Sequence, residues 1–317
     1  MVDLAIIIPA YKAKFFDLAL SSIASQTNKN FNLYIGDDCS PEDLGNICAK
    51  YSSLINIIYK RFDNNIGAEK LVSQWNRCVD LKSNEKWVWL FSDDDIADPN
   101  CVETFYNTIN NDNSRCDVYR FNTRVIDDNG TIISQTPESP TYDTSINMAY
   151  EILMGRRGNS MPDHIFSDEV FRSNGGFVYT DFAQAADWAS SILFSQKKGI
   201  CTMKGAKINW RLGGANISGS AEKNRVKMIK GYLQFLRWVL KHFNYLNFQK
   251  KGHYTFNDIK DAAEFSLNSV IRNHYKSLEY RNLLDIFKFY SILYNSKIKA
   301  LKATISLFRK FNRNKMF

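Results

Sequence analysis

The stretch WVWLFSDDDIADP, from Trp87 to Pro99, sets three carboxylates side by side directly after an apolar run. A short apolar run bounded by polar and turn-forming residues reads as a buried strand. Adjacent like charges repel, and taking them out of water adds to the cost unless something neutralises them. In open α/β sheets ligands gather at the carboxyl ends of strands, which is where such a cluster has a use.

Outward from this strand, short apolar runs alternate with longer amphipathic ones. Residues 4–9, 31–36, 55–59 and 86–91 have strand character, and residues 15–26, 41–51, 67–79 and 100–110 have helical character. This alternation predicts an α/β layer structure with a mainly parallel sheet. Asn129 and Gly130 mark a hairpin. Residues 135–162 are irregular apart from a helix predicted over 146–154, as befits a substrate loop. Beyond Ser220 the chain reads as helices over 224–243, 256–276 and 280–309, so we divide it into 1–220 (halves 1–125 and 126–220) and a helical, basic region over 221–317.

Three predicted strand ends converge: Pro9, Ala10 and Tyr11; Asp37 and Asp38; and Asp93, Asp94 and Asp95. Two acidic pairs on one sheet edge call for a divalent cation, and Mg²⁺ or Mn²⁺ takes hard oxygen ligands while leaving positions for phosphate. Helix capping is the plainer alternative, by Asp38 with Ser40 ahead of Pro41 and by Asp95 or Asp98 ahead of the helix after Pro99.

The chain has 317 residues and a formal net charge of +8, which favours an anionic partner. No acidic residue follows Asp285, so much of the excess belongs to the end of the chain. The six cysteines show no CxxC pair, and neither structural zinc nor disulfides are expected of a reduced, cytoplasmic chain. No apolar run is long enough to cross a membrane. In the last helix Ile298, Leu301, Ile305 and Phe308 share one face, which suits either docking on the body or peripheral contact with the inner face of the cell membrane.

The segments IIIPAYKAKFFDLALSSIASQTNKNFNLYIGDDCSPED, NNIGAEKLVSQWNRCVD and WVWLFSDDDIADP, in this order, resemble the successive blocks of family 2 glycosyltransferases. The resemblance implies a GT-A fold, a nucleotide-sugar-binding α/β half followed by an acceptor half. It implies that Pro9, Ala10 and Tyr11 line the nucleoside site, that Asp38 meets the uracil edge, and that Asp93 serves the ribose. Asp94 then falls at the metal position, with Asp95 as a supporting ligand; Ser92 departs from the commoner Asp-x-Asp-Asp form. Inverting members use an Asp general base at the start of a helix, which points to Asp187, with Asp181 second. Arg211 could reach the diphosphate or lie on a surface strand, and Asn216 and Ser218 could order the turn after it. The Gly175–Phe177 turn suits close approach to ligand, and Trp75, Trp188 and Trp210 suit sugar stacking or core packing.

The implied activity is Mn²⁺- or Mg²⁺-dependent transfer of a sugar, of hexosyltransferase type, from a UDP-sugar to a glycan or lipid-linked acceptor in cell-surface polysaccharide synthesis. A nucleotidyltransferase lacks its glycine-rich loop here, because PAYKAKFF has no glycine. A nonenzymatic nucleic-acid module using the basic tail would leave the acidic clusters without a role, and no nucleic-acid partner is expected.

Overall fold

The computed structural model describes residues 2–111, 116–158, 160–213, 221–245, 252–274, 278 and 280–313. Its strands are β1 (Leu4–Ala10), β2 (Phe31–Asp37), β3 (Ile57–Arg61), β4 (Trp87–Leu90), β5 (Ile96–Ala97), β6 (Val118–Ile126), β7 (Ile132–Gln135), β8 (Tyr142–Asp143), β9 (His164–Ser167) and β10 (Ile200–Arg211). They form one sheet in the order β3-β2-β1-β4-β9-β6-β10-β5, with β7 on β6 and β8 on β10. The longer ladders, β1 with β2 and β6 with β10, are parallel, as are β2 with β3 and β1 with β4. β9 enters antiparallel between β4 and β6. This is the expected GT-A architecture, a mostly parallel central sheet followed by helices.

β1 is apolar throughout because both faces of the sheet are covered. Leu4, Ile6, Ile8 and Ala10 meet α1 (Phe16–Ala24), α2 (Leu44–Ala49) and α4 (Cys101–Asn111). Ala5 and Ile7 share the opposite core with α3 (Gly67–Val79), α5 (Ser145–Leu153), α6 (Asp168–Ser173) and α7 (Ala186–Phe194). The hairpin predicted at Asn129 and Gly130 joins β6 to β7, with Gly130 at φ +83°.

The C-terminal helices are α8 (Ala221–Tyr245), α9 (Phe256–His274), α10 (Tyr280–Tyr294) and α11 (Lys297–Arg313). The single helix expected over 280–309 is broken at Asn295, whose φ of +47° lies in the left-handed region that a right-handed helix cannot continue through. Leu233, Leu236 and Val239 of α8 share a core with Ile146 and Ala149 of α5 and Ala189 and Ile192 of α7, so the extension packs directly on these two helices. The boundary expected at Ser220 lies outside the described residues, as do Asn216 and Ser218.

The expectation of no disulfide is corrected, because Cys116 and Cys201 are bonded. Parallel pairing of β6 with β10 sets Cys201 opposite Tyr119. Two residues 85 apart in sequence therefore stand 6.0 Å apart between Cα atoms, within ordinary bridging distance. Sequence spacing carries no trace of that register.

Candidate active site

A cavity of about 660 Å³ opens at the carboxyl ends of β1 and β4. Its wall includes Pro9, Ala10, Tyr11, Asp38, Asp93 and Asp94 on one side and Asp187 on the other. Seven of the predicted site residues therefore share one space, and Trp75, Trp188 and Trp210 line it too.

Each carboxylate is held differently. Asp93 accepts hydrogen bonds from the amides of Tyr11 at 2.9 Å and Lys12 at 3.2 Å, which ties the acidic loop to the end of β1. Burial raises its pKa and these amides oppose the rise. Asp38 accepts from the amides of Ile66 at 2.9 Å and Gly67 at 2.8 Å and pairs with the Arg77 guanidinium. It thereby caps the start of α3 rather than the predicted helix at Pro41, which begins instead at Leu44 with Asp43 accepting from the Asn46 amide at 3.0 Å. Residue 67 must be glycine for this approach, since a Cβ there would lie 2.6 Å from the Asp38 Oδ2.

Asp94 is met by charge: Lys12 and Arg211 act on it through space. Burial first, and the neighbouring Asp93 second, push its carboxyl up to about 7. Such a carboxyl gains from a cation. Among the described residues no group of three or more His, Cys, Asp or Glu could enclose a metal ion. Asp94 nevertheless fits the way Mg²⁺ or Mn²⁺ sits on one or two carboxylates, with phosphate and water completing the shell.

Two assignments change. Asp95 is buried, and its Oδ1 accepts the Arg211 amide at 2.7 Å, so it braces the loop from behind instead of facing the cavity as a metal ligand. Burial, then the charge of Asp94, holds its carboxyl well above the usual range. Arg211 is buried as well; its guanidinium donates to the carbonyls of Asp94 at 2.9 Å, Asp127 at 2.7 Å and Asp128 at 3.1 Å and stacks 4.1 Å from the Phe15 ring. Neither a diphosphate contact nor a surface position describes it: it fastens the acidic loop to the β6–β7 turn. Asp98 also serves this scaffold, accepting from Arg124 at 2.8 Å and from the Lys207 amide at 2.9 Å.

Asp187 sits in the first turn of α7, where the helix dipole favours a carboxylate. Its Oδ1 accepts the Trp188 amide at 2.9 Å. Burial pushes its carboxyl up to about 7, with Asp163 adding to the rise and the Trp188 amide and His164 opposing it. The preceding loop is strained, because Phe182, Ala183 and Ala185 all have φ between 50° and 59° without being glycine. Each such residue costs about 1 kcal/mol and persists only where its surroundings hold it. α8 supplies that hold through Lys230, 2.6 Å from Asp181, and Gln234, which accepts the Asp181 amide at 2.6 Å. Gly231 lets α8 come so close, since a Cβ there would meet the Asp181 carbonyl at 2.1 Å. Asp181, the second choice for a base, is thus a strut.

The Gly175–Phe177 turn approaches α3 rather than ligand: the Phe177 amide donates to Asn76 Oδ1 at 3.1 Å, and Gly176 leaves no room for a Cβ beside that oxygen. Lys12 and Asp163 line the cavity and were missed from sequence. Asp163 Oδ2 accepts from Thr123 Oγ1 at 3.1 Å and the Ser160 amide at 3.0 Å, and its other oxygen pairs with the buried His164. Only the adjacency of Asp and His in MPDH hinted at it. The predicted substrate loop does reach the cavity, through Thr136, Gly158 and Ser160.

Residues 5–173, more than half of the chain, match the family described as glycosyl transferase family 2. The chain belongs to this family. It is a glycosyltransferase, acting on nucleotide-sugar donors and sugar acceptors, and the nucleotidyltransferase and binding-module readings give way to that. The first 349 residues of S. aureus TarS in complex with UDP-GlcNAc superpose with a TM-score of 0.71 at 14% identity, covering 98% of this chain and 92% of that one. The UDP complex gives 0.69 at 14% identity, covering 98% and 91%. The mannosyltransferase PcManGT from Pyrobaculum calidifontis, in complex with GDP-Man and Mn²⁺, gives 0.52 at 11% identity, covering 98% and 82%. Likeness at such identities shows the fold alone. Among curated proteins none matches.

Proposed function

We propose that this glycosyltransferase is an inverting enzyme that moves a sugar from a UDP-sugar to a glycan or lipid-linked acceptor in cell-surface polysaccharide synthesis on the cytoplasmic side of the membrane. One observation carries the reading: a single cavity joins the amide-anchored strand ends of the nucleotide half to a carboxyl raised to about 7 on the acceptor half. A base with a pKa near the working pH combines a useful ionised fraction with good proton affinity. Support for a uridine nucleotide comes from the UDP and UDP-GlcNAc held by TarS, and for a metal from the Mn²⁺ held by PcManGT.

In the proposed reaction Asp187 takes the proton of the acceptor hydroxyl as that oxygen bonds to the anomeric carbon. The bond from that carbon to the diphosphate oxygen breaks, UDP carries away the electron pair, and attack opposite the leaving group inverts the centre. Asp94 would hold a Mn²⁺ or Mg²⁺ ion, which when bound offsets the charge of the departing diphosphate. Lys12, on the same wall, adds positive charge where the diphosphate would lie. Tyr11 and Asp38 shape the nucleoside end, and Trp188 and Trp210 offer flat faces to a sugar.

Thermal unfolding with UDP, GDP or no nucleotide, each with Mn²⁺ or EDTA, tests this on the wild type and Asp94→Ala. UDP at a hundred times its Kd should stabilise the native state by about 2.7 kcal/mol. The expected result is a shift with UDP and Mn²⁺ that EDTA and Asp94→Ala each abolish. Absence of any nucleotide shift in the wild type overturns the donor site.

A further inference from the structure

The apolar stripe of α11 faces away from the protein. Ile298, Leu301, Ile305 and Phe308 are 70%, 53%, 41% and 47% exposed, whereas Ala300, Thr304 and Leu307 are buried. The helix therefore docks through the face that carries Ala300, Thr304 and Leu307 and offers these four large apolar side chains to solvent. Spacings of three and four residues put the four exposed side chains on one continuous face. A contiguous exposed stripe of this kind marks an interaction surface, unlike a scattered apolar residue.

Charge selects the partner. Lys302 lies one turn beyond Ile298 and Arg309 one turn beyond Ile305, along one border of the stripe, and Lys297 lies one turn before Leu301 along the other. All three are exposed, as is Lys299. No acidic residue lies anywhere after Asp285 to oppose them. Large apolar side chains flanked by cations on an exposed helix match the interface of an anionic bilayer, where the stripe enters the acyl boundary and the cations stay among the headgroups. A protein partner for the same stripe would need a complementary acidic rim. No described helix is long and apolar enough to cross a membrane, so the contact is parallel to the surface.

We infer that α11 is an interfacial helix that binds the enzyme peripherally to anionic lipid through Ile298, Leu301, Ile305 and Phe308 with their basic borders. The surface is separate from the catalytic cavity, and its role does not depend on the donor or the mechanism.

The test is co-sedimentation of the full chain with vesicles of phosphatidylcholine alone or mixed with phosphatidylglycerol, for the wild type, Leu301→Glu/Phe308→Glu and Lys302→Glu/Arg309→Glu. The wild type should bind the anionic vesicles, weakly or not at all the neutral ones, and less as salt rises. Each neutralised basic residue should weaken binding by roughly fivefold, and charge reversal by more. The double glutamate substitution in the stripe should weaken it by at least about tenfold. Both variants should keep the wild-type melting temperature, since the altered side chains are exposed. No binding to anionic vesicles, or unchanged binding by the stripe variant, overturns the inference. So does a wild-type dimer that the stripe substitutions dissociate without any vesicle binding, because the stripe is then an interface between copies. Nucleotide-dependent melting shifts, read in parallel, keep such a failure distinct from failure of the transferase reading.

Discussion

Asp37 and Asp38 at the end of β2 and the pair Asp94 and Asp187 across the cavity are all carboxylates at element ends, yet the protein treats the two sets in opposite ways. Asp37 is fully buried and accepts from the Ser40 amide at 2.7 Å, the Tyr59 hydroxyl and Arg61 at 3.0 Å. Asp38 has two amides and Arg77. Asp187 has the Trp188 amide, and Asp94 has through-space charge. The first set is solved internally and stiffens the frame. The second is left with raised proton affinity, which is stability forgone in favour of a ligand or a reaction.

Removing a carboxylate from the second set should therefore cost activity and leave the fold intact. Asp187→Asn should lower kcat by about 10³-fold with little change in KM, because it deletes the proposed base without touching the opposite wall of the cavity. Wild-type kcat should rise with pH through about 7, as Asp187 loses its proton, and the variant's residual rate should lose that step. Stability runs the other way. A folded-state pKa above the unfolded value means the contribution is fully present below about pH 4 and is lost as pH rises through about 7. Above pH 7 the variant should unfold later than the wild type, by up to about 2 kcal/mol in urea. A variant less stable than the wild type at pH 8 would place Asp187 among the structural carboxylates and collapse the contrast.

The first set should answer in reverse. Asp37→Asn replaces an acceptor with a group that presents two N–H donors toward Tyr59 and Arg61. The loss should be about 2–3 kcal/mol of unfolding free energy, measured by urea titration. Nucleotide-dependent melting shifts should be unchanged, since Asp37 is not part of the cavity wall.

What the sequence made legible follows the same division. Runs such as LAIIIPA, and amphipathic stretches such as Gly67–Val79, are local patterns, and the strand ends followed once those were placed. Asp187 was singled out through the family resemblance, and its place in the first turn of α7 is again a local feature. Arg211 and Asp95 were not, because their facing depends on β10 running antiparallel to β5, with Asn209 opposite Ile96, a register made by residues more than a hundred positions apart. The Cys116–Cys201 bond depends on the β6–β10 register in the same way. The stripe of α11 was visible as periodicity, but periodicity shows that a face is apolar and not which way it turns. Only Ala300, Thr304 and Leu307, buried together, decide that.

The smallest effect sharpens the contrast within the first set. Arg61 and Arg77 both neutralise a buried Asp, yet Arg61 keeps 47% of its side chain in solvent and Arg77 only 25%. Arg77 also lies over the Phe62 ring at 3.8 Å and donates to the Asn64 carbonyl at 3.0 Å, so it joins α3 to the loop that Asp38 caps. Solvent screens the Arg61 pair, and Asp37 keeps the Ser40 amide and the Tyr59 hydroxyl without it. Arg61→Ala should therefore leave the urea midpoint of unfolding close to that of the wild type. Arg77→Ala should cost about 1–2 kcal/mol and weaken nucleotide binding severalfold, because the Asp38 that lines the cavity loses the guanidinium paired with it. Equal effects of the two substitutions would mean that proximity to a buried carboxylate, and not burial of the pair, sets its worth here.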